Sequence, residues 1–426
     1  MMLLRNRVVT GVRSLARLPT ETLAIFSYNC LSIAMNLAGS ILVARYLGPA
    51  QKGIVNLFSL LMGTLGEFGV FGLNSALLYQ LAHQATPLAS VHAAALLASA
   101  FLGGCCLIIV VGFHSGVAWL FEGLPGTFIL SSGLIAPLLI YRALWGSLLV
   151  GINRAISSYR INCAFAVLSL AGLGVVWSMG WLTAPAIIWL SIASLLGQCV
   201  YGFLSLARRH DFIFPWKASS LRDALGYGAV VHIGMIANYL HSRVDQLMIN
   251  HFQGPRGVGI YTVSVAAAEM LWLIDYAIIS SSLFRISSSD TQTSWHLTRR
   301  LFLLTSVVLV AAGALLAVLA PHIVRLLYGH EFLEAVWPLR LLLPGVITWG
   351  ATRLLSQFIS FNAGRPSLTS GAAILGSALN VAMNLYAIPR WGLSGAALAS
   401  SLTYIATCLF LFVVFIRLRE REEVSL

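Results

Sequence analysis

Residues 239–269 read YLHSRVDQLMINHFQGPRGVGIYTVSVAAAE, and the fold is decided by this stretch. It closes a long apolar run that turns polar towards its end. There Asn238, His241, Ser242, Arg243, Asp245, Gln246 and Asn250 crowd the last turns of a helix. Gly254-Pro255 then breaks the helix, because proline has no N–H to donate and glycine turns the chain readily. A second apolar run follows, carrying Glu269 and, further on, Asp275. Charges inside a long apolar run are costly, so they face a cavity or a partner rather than lipid.

The rest of the chain has the same character. Of 426 residues, 58% are hydrophobic and only 9% charged, with a mean hydropathy of +0.87. Soluble domains carry about 25% charged residues. The deficit excludes a large soluble domain and implies an all-α integral membrane protein. The net charge of +12 lies mainly between apolar runs, which points to membrane surfaces and not to nucleic acid. The six cysteines sit in apolar runs without CxxC spacing and read as small buried side chains, with no metal or disulfide role. Arg5, Arg7, Arg13 and Arg17 make residues 1–21 a basic amphipathic segment for the cytoplasmic lipid surface, with no cleaved signal peptide.

Apolar periodicity predicts twelve spans: 22–46, 54–82, 88–113, 127–151, 156–180, 183–207, 222–252, 257–287, 297–320, 335–361, 367–388 and 393–417. With the N-terminus in the cytoplasm, 17 basic residues fall inside and 6 outside; Arg142, Arg243 and Arg353 lie within spans. That bias places both termini in the cytoplasm. The polar connection 208–221 divides the chain into an N-terminal six-helix lobe, 1–207, and a C-terminal one, 222–426.

The halves echo each other. GPxxxG occurs at Gly48–Gly53 and again at Gly254–Gly259, an offset of 206 residues. Pro137 and Pro344 are offset by 207, and Glu67 and Asp275 by 208. Three echoes at nearly one offset indicate duplication. Six spans return the chain to its starting side, so the repeats are parallel and enclose a central cavity that rocking would open to either side. Pro137 and Pro344 should each kink a helix.

No soluble-enzyme constellation appears. Lys52 is followed by Gly and Lys217 by Ala, so neither completes a P-loop. HExxH, GxSxG and paired Cys/His ligands are absent, and no catalytic residue, metal or cofactor is implied. What remains is a sparse set of intramembrane ions: Glu67, Arg142, Arg243, Asp245, Glu269, Asp275 and Arg353. One reading places Arg142, Arg243 and Arg353, with His241 and Asn238, around an anionic group such as a phosphate, which suits the planar guanidinium fork. Asp245, Glu269, Asp275 and Glu67 would then balance charge or couple an ion. Arg243 and Asp245 are two positions apart and point to different faces. The blander reading is that a span of about 45 Å overshoots the ~30 Å apolar slab, so that these two snorkel at an interface.

The residues also carry a family resemblance. Arg243, Asp245, Gln246, Met248, Gly254, Val258, Gly259, Tyr261, Val263, Ala266 and Glu269 resemble the recurring pattern of polysaccharide-biosynthesis flippases. These belong to the multidrug/oligosaccharidyl-lipid/polysaccharide exporter superfamily. The first hairpin, Ala44–Leu61, is similar to that family's opening segment. Gly364–Leu368 and Leu379–Ser400, with Asn380, Asn384, Pro389, Gly392, Gly395 and Ala396, are similar to its closing part. The resemblance implies two six-helix lobes around a V-shaped cavity in a bacterial inner membrane. It implies translocation of a polyprenyl-pyrophosphate-linked oligosaccharide or polysaccharide precursor by alternating access. The partners it implies are the lipid-linked glycan, membrane lipid, and polymerase or assembly proteins. The first span lacks the basic cluster expected of peptidoglycan-precursor flippases. Two other classes stay open: a cation-coupled multidrug exporter, which would want an acid-lined cavity, and a membrane glycosyltransferase or polymerase, which would want carboxylates in large aqueous loops.

Overall fold

The computed structural model describes residues 2–83, 87–209 and 218–423. The side chains of the basic segment 1–20 and the linker backbone at 210–217 lie outside the described residues. The chain folds into helices α1 (Met2–Gly69), α2 (Leu73–His83), α3 (Leu88–Gly112), α4 (His114–Leu120), α5 (Gly126–Gly151), α6 (Ala155–Ser178) and α7 (Ala184–Ala207). The second half comprises α8 (Ala218–Glu269), α9 (Trp272–Ser288), α10 (Thr291–Leu327), α11 (Val336–Gln357) and α12 (Pro366–Glu423).

Among the described residues, nine helical stretches are long and apolar enough to cross a membrane. Three of them have double length: 47, 48 and 54 residues. Each doubled stretch contains one glycine with non-helical backbone, Gly48 (φ 71°), Gly254 (φ 67°) or Gly392 (φ 54°). Left-handed φ is open to glycine without a Cβ clash. Cross-turn contacts show that the chain reverses at each. Lys52 Nζ donates to Ser40 Oγ at 2.8 Å, although twelve residues of straight helix span about 18 Å. Tyr261 meets Asp245 across Gly254, and Asn380 meets Ser400 across Gly392. Six single passes and three hairpins make twelve, as the apolar runs predict. We label the hairpin legs α1a (2–47) and α1b (49–69), α8a (218–253) and α8b (255–269), α12a (366–391) and α12b (393–423).

Two predicted spans are interrupted. The second is α1b plus α2, broken where Phe71 and Gly72 take positive φ; the eighth is α8b plus α9, broken at residues 270–271. The halves thus share this break as well. Pro137 and Pro344 interrupt nothing: each lies inside a continuous helix. Neighbouring helices pack against both places: a Cβ on Gly103 of α3 would lie 2.5 Å from Pro137, and Gly345 N–H donates to Ser401 Oγ of α12b at 2.8 Å.

Each lobe has its own core. Leu73, Ile140, Leu144, Trp145, Leu148 and Leu206 fill the N-lobe, and Leu354, Leu355, Phe358 and Phe415 fill one end of the C-lobe. A third cluster joins the lobes at the hairpin end, where Leu57, Phe58 and Leu61 meet Ile249, Val258 and Tyr261. Phe101, Val307, Val318 and Leu409 are among the large apolar side chains left exposed, as a lipid-facing surface requires. At the seam between lobes, a Cβ on Gly53 would lie 1.7 Å from the Pro255 carbonyl oxygen, and one on Gly259 would lie 2.0 Å from that of Pro49. These four residues are related by the same 206-residue offset, so the two GPxxxG turns cross backbone on backbone about a pseudo-twofold axis. Asn56 Nδ2 donates to Thr262 Oγ1 across that axis, again 206 residues apart.

Candidate functional site

Beneath the crossed hairpins lies a central cavity of about 350 Å³ between α1, α8a and α8b. Ser40, Lys52, Asn56, Ser59 and Gly63 line its N-lobe side; Tyr239, Arg243, Gln246, Thr262 and Glu269 line its C-lobe side. A second cavity of about 440 Å³ adjoins it between α1a and α8b–α9. Asn29, Asn36 and Ser40 face Glu269, Trp272, Tyr276 and Arg353 there. The opposite flank is shut. Tyr239 donates to the Leu60 carbonyl at 3.2 Å and meets Thr64 at 3.1 Å, Phe71 packs on His232, and a Cβ on Gly72 would lie 2.2 Å from Gly228 O. The lobes therefore close along α1b–α2 against α8a and part along α1a against α9.

The sequence leaves each intramembrane ion in search of a partner on another helix, and the structure supplies two. Arg243 of α8a donates from Nη1 and Nη2 to both oxygens of Glu269 on α8b, at 3.2 and 3.4 Å. Both side chains are partly exposed to the cavity, 33% and 23%. Arg353 of α11 donates to Asp275 of α9 at 3.3 Å, and its guanidinium lies 4.6 Å from the ring centre of Trp272. Asp275 is fully buried, whereas Arg353 is 35% exposed and reaches the second cavity. Cation–π contact and one carboxylate hold the guanidinium plane while leaving donors free.

Asp245 points the other way, as its two-residue spacing from Arg243 requires. It is buried in the C-lobe, where it accepts from Tyr261 Oη at 2.6 Å, Ser400 Oγ at 3.2 Å and the Gln246 amide at 2.8 Å. The network continues through Asn380 to Thr403, whose Oγ1 lies 3.3 Å from His241 Nε2. His241 is thus packed between Trp349 and Tyr404, behind the cavity wall and not beside Arg243. Asn238 lines a separate cavity of about 550 Å³ within the C-lobe, which Arg353 also borders.

Arg142 does not join the cavity set. It is exposed on α5, and its Nε donates to Gln198 of α7 at 2.8 Å, entirely within the N-lobe. Glu67 sits half-buried on α1b, one turn beyond Thr64, with no ion pair among the described residues. Lys52, by contrast, enters the site although it falls between the predicted spans 22–46 and 54–82, in the first hairpin turn. It is 4% exposed, and its ammonium folds back to Ser40. Only its place four residues past the turn glycine hints at this, since a side chain there lies back along the preceding leg.

A twelve-pass bundle with two like-oriented lobes around a charged cavity defines a membrane carrier. The profile of the family described as "Polysaccharide biosynthesis protein" matches residues 42–337, more than half of the chain, and the chain belongs to that family. It is 22% identical over 391 residues to the probable low-salt glycan biosynthesis flippase Agl15 of Haloferax volcanii, covering 91% of this chain and 81% of that protein. It is also 22% identical over 242 residues to the uncharacterized membrane protein MJ1068 of Methanocaldococcus jannaschii, with 53% of this chain covered. The match spans 46% of that relative, about half its length. Among solved structures, the inward-facing multidrug resistance MATE family transporter of the MOP superfamily superposes with a TM-score of 0.76 at 15% identity, over 95% of this chain and 100% of that one. The lipid II flippase MurJ in an inward closed conformation gives 0.76 at 16% identity, over 91% and 87%. An outward-facing MATE transporter gives 0.67 at 14%, over 94% of each chain. The fold is theirs.

Proposed function

We propose that the chain translocates a polyprenyl-diphosphate-linked oligosaccharide, or a related polysaccharide precursor, by alternating access. The observation that carries this is the pair of adjoining cavities: Arg353 and Glu269 line the one between α1a and α9, on the lobes' open flank, and Glu269 with its partner Arg243 lines the central one behind it. A lipid-linked substrate needs such a portal. Its charged diphosphate must leave water and meet fixed donors, while its polyprenyl tail stays in lipid. Arg243 and Arg353 hold the phosphate oxygens, with Asn238 beside Arg353. Their carboxylates offset the two guanidinium charges while the site is unloaded, since an isolated ion at low dielectric is strongly disfavoured.

Lobes 1–207 and 222–426 rock as units, closed at the crossed hairpins in this state, and the buried Asp245, with Glu269, Asp275 and Glu67, supplies candidate sites for coupling to an ion gradient. The basic bias of 17 to 6 supports cytoplasmic termini, and the reading places the chain in a bacterial inner membrane beside polymerase or assembly proteins. No covalent bond changes in this cycle, so the chain acts as a carrier and not as an enzyme. The MATE likeness keeps drug export as the second reading; the carboxylate lining the two adjoining cavities, Glu269, is engaged by Arg243, which leaves a cationic drug no free acid there.

The test is translocation of a fluorescent lipid-linked oligosaccharide in proteoliposomes carrying wild type, Arg243→Ala or Arg353→Ala. Each substitution should slow flipping at least tenfold. Undiminished flipping in both would remove the phosphate-holding role.

A further inference from the structure

We propose that Lys52 is a dedicated phosphate-oxygen site on the N-lobe wall, an unpaired ammonium that faces Arg243 across the central cavity. The inference rests on the translocation reading above and names a group which that reading does not use.

The geometry starts at the first hairpin. Lys52 follows Gly48 by four residues, and Ser40 precedes it by eight, which places Ser40 about 12 Å below the turn. Lys52 Nζ reaches down to Ser40, donating to Oγ at 2.8 Å and towards its carbonyl oxygen at 3.5 Å. A lysine near a span end ordinarily extends its charge outward to water. This one turns inward and is 4% exposed. Among the described residues no carboxylate lies within 4.0 Å of it, whereas Arg243, Arg256 and Arg353 each have one.

The ammonium has three N–H donors, and Ser40 occupies two. The third has polar groups on both of the cavities that Lys52 lines. Lys52 lines the central cavity with Asn56 and Arg243, and it also lines an N-lobe cavity of about 190 Å³ whose wall includes Asn36, Ser169 and Ser191. Ser40 borders these two spaces and the portal beside α9 as well. Lys52 therefore stands between two of these spaces and is hydrogen-bonded to the residue that borders all three. A buried cation without a counter-ion is unfavourable unless an anion visits it, and donors crowded round it favour oxygen ligands. Across the cavity, Glu269 already neutralises Arg243. Lys52 thus gives the N-lobe side the uncompensated charge that draws an anion deeper than the portal. A diphosphate spanning both walls would tie the lobes together, so its arrival would bear on their relative movement.

The experiment uses the full chain in phosphatidylcholine nanodiscs and measures binding of farnesyl diphosphate, farnesol and inorganic pyrophosphate to wild type, Lys52→Gln and Lys52→Arg. The expected result is at least tenfold weaker farnesyl diphosphate binding by Lys52→Gln, retention within threefold by Lys52→Arg, and no change for farnesol. Equal farnesyl diphosphate binding by wild type and Lys52→Gln, with melting temperatures matched, overturns the site. Lys52-dependent binding of pyrophosphate without any for farnesyl diphosphate keeps the anion site and sinks the lipid-linked substrate. A wild type that flips lipid-linked glycan yet binds neither phosphate overturns the site alone. Loss of the Lys52→Gln effect when phosphatidylglycerol replaces phosphatidylcholine reassigns the site to a lipid headgroup and overturns the substrate assignment.

Discussion

The crossed hairpins make a quantitative prediction about which state the molecule prefers. In the present structure, a Cβ on Gly53 would lie 1.7 Å from the Pro255 carbonyl oxygen and 2.5 Å from its carbon. Both obstacles are backbone, so no rotamer relieves them. Gly53→Ala must push the lobes apart at the hairpin end. Overpacking a tight contact costs about 1–3 kcal/mol. At 1.4 kcal/mol per factor of ten, that shifts the equilibrium about 5- to 150-fold towards states open at that end. Gly66→Ala supplies the control: it lies on the same leg, and nothing is within 4 Å of its Cβ position. Both substitutions gain the same intrinsic helix propensity of about 1 kcal/mol, so their difference isolates the seam. Hydrogen exchange of residues 50–60 and 252–264 in nanodiscs reads the opening directly. Exchange there should rise by the stated factor in Gly53→Ala and not in Gly66→Ala, with α5 unchanged in both. Gly259→Ala should match Gly53→Ala, because its Cβ meets Pro49 in the mirrored contact. The double variant should exceed either single one by less than the sum, since the first opening makes room for the second. Folded Gly53→Ala protein with wild-type exchange at both hairpins would refute the seam as the contact that holds the lobes together at that end.

Three further outcomes follow from the charge pairs and caps. Asp275→Asn leaves Arg353 without its carboxylate, and because Arg353 is 35% exposed the loss should be about 1–3 kcal/mol, below that of a fully buried pair; adding Arg353→Met should restore most of it in a thermal unfolding assay. Tyr261→Phe removes a 2.6 Å hydrogen bond to the buried Asp245 and should lower stability by about 1.5–3 kcal/mol, with Ser400→Ala adding less than its separate effect because both donate to Oδ2. Asp290 caps α10 by accepting from the Thr293 amide, which holds its carboxyl below the ordinary carboxylate range. Its folded value is depressed, so the stabilisation is present above the unfolded value of about 4 and is lost as pH falls through the folded one. Protection of amides 291–295, taken relative to their intrinsic exchange rate at each pH, should fall on acidification in wild type and stay flat in Asp290→Asn, which caps without titrating.

Periodicity alone gave all twelve passes, because a span of lipid demands a length of unbroken apolar residues and every connection here is short. The duplication was equally legible, since glycine turn chemistry at 48 and 254 leaves a fixed sequence mark. Three things were not legible. The breaks at residues 70–72 and 270–271 fall inside apolar runs, where hydropathy has no contrast to report. The surroundings of the helix prolines were the second, since what packs there comes from other helices: Gly103 of α3 lies against Pro137, and Ser401 of α12b bonds the amide beside Pro344. Side-chain direction was the third. Arg243–Glu269 and Arg353–Asp275 join residues 26 and 78 positions apart, and no spacing rule within one helix can pair them. His241 and Asp245 share a face as i,i+4 spacing requires, but that face turns into the C-lobe and not to the cavity.

The duplication also shows which charges the fold does not need. At the hairpin offset of 206 residues, Arg243, Asp245 and Glu269 correspond to Leu37, Gly39 and Gly63, and at the proline offset of 207 Arg353 corresponds to Gly146. Going the other way, Lys52 corresponds to Val258. At each of these positions one lobe thus makes the same helices and the same crossed turn with an apolar or small residue where the other places an ion. Each lobe stands as a working control for its partner. Neither the turns nor the helix packing requires Lys52, Arg243, Glu269 or Arg353, and burying such groups is unfavourable in itself. Only Glu67 and Asp275 are acidic at matching places, at the 208-residue offset, and there the lobes differ in the partner: Arg353 engages Asp275, and nothing among the described residues engages Glu67 as an ion pair. The scaffold was doubled and the charges were then distributed unequally, with a lone cation on the N-lobe wall and compensated arginines on the C-lobe wall. A cavity built that way presents different chemistry to the two ends of a substrate, which a symmetric pore would not.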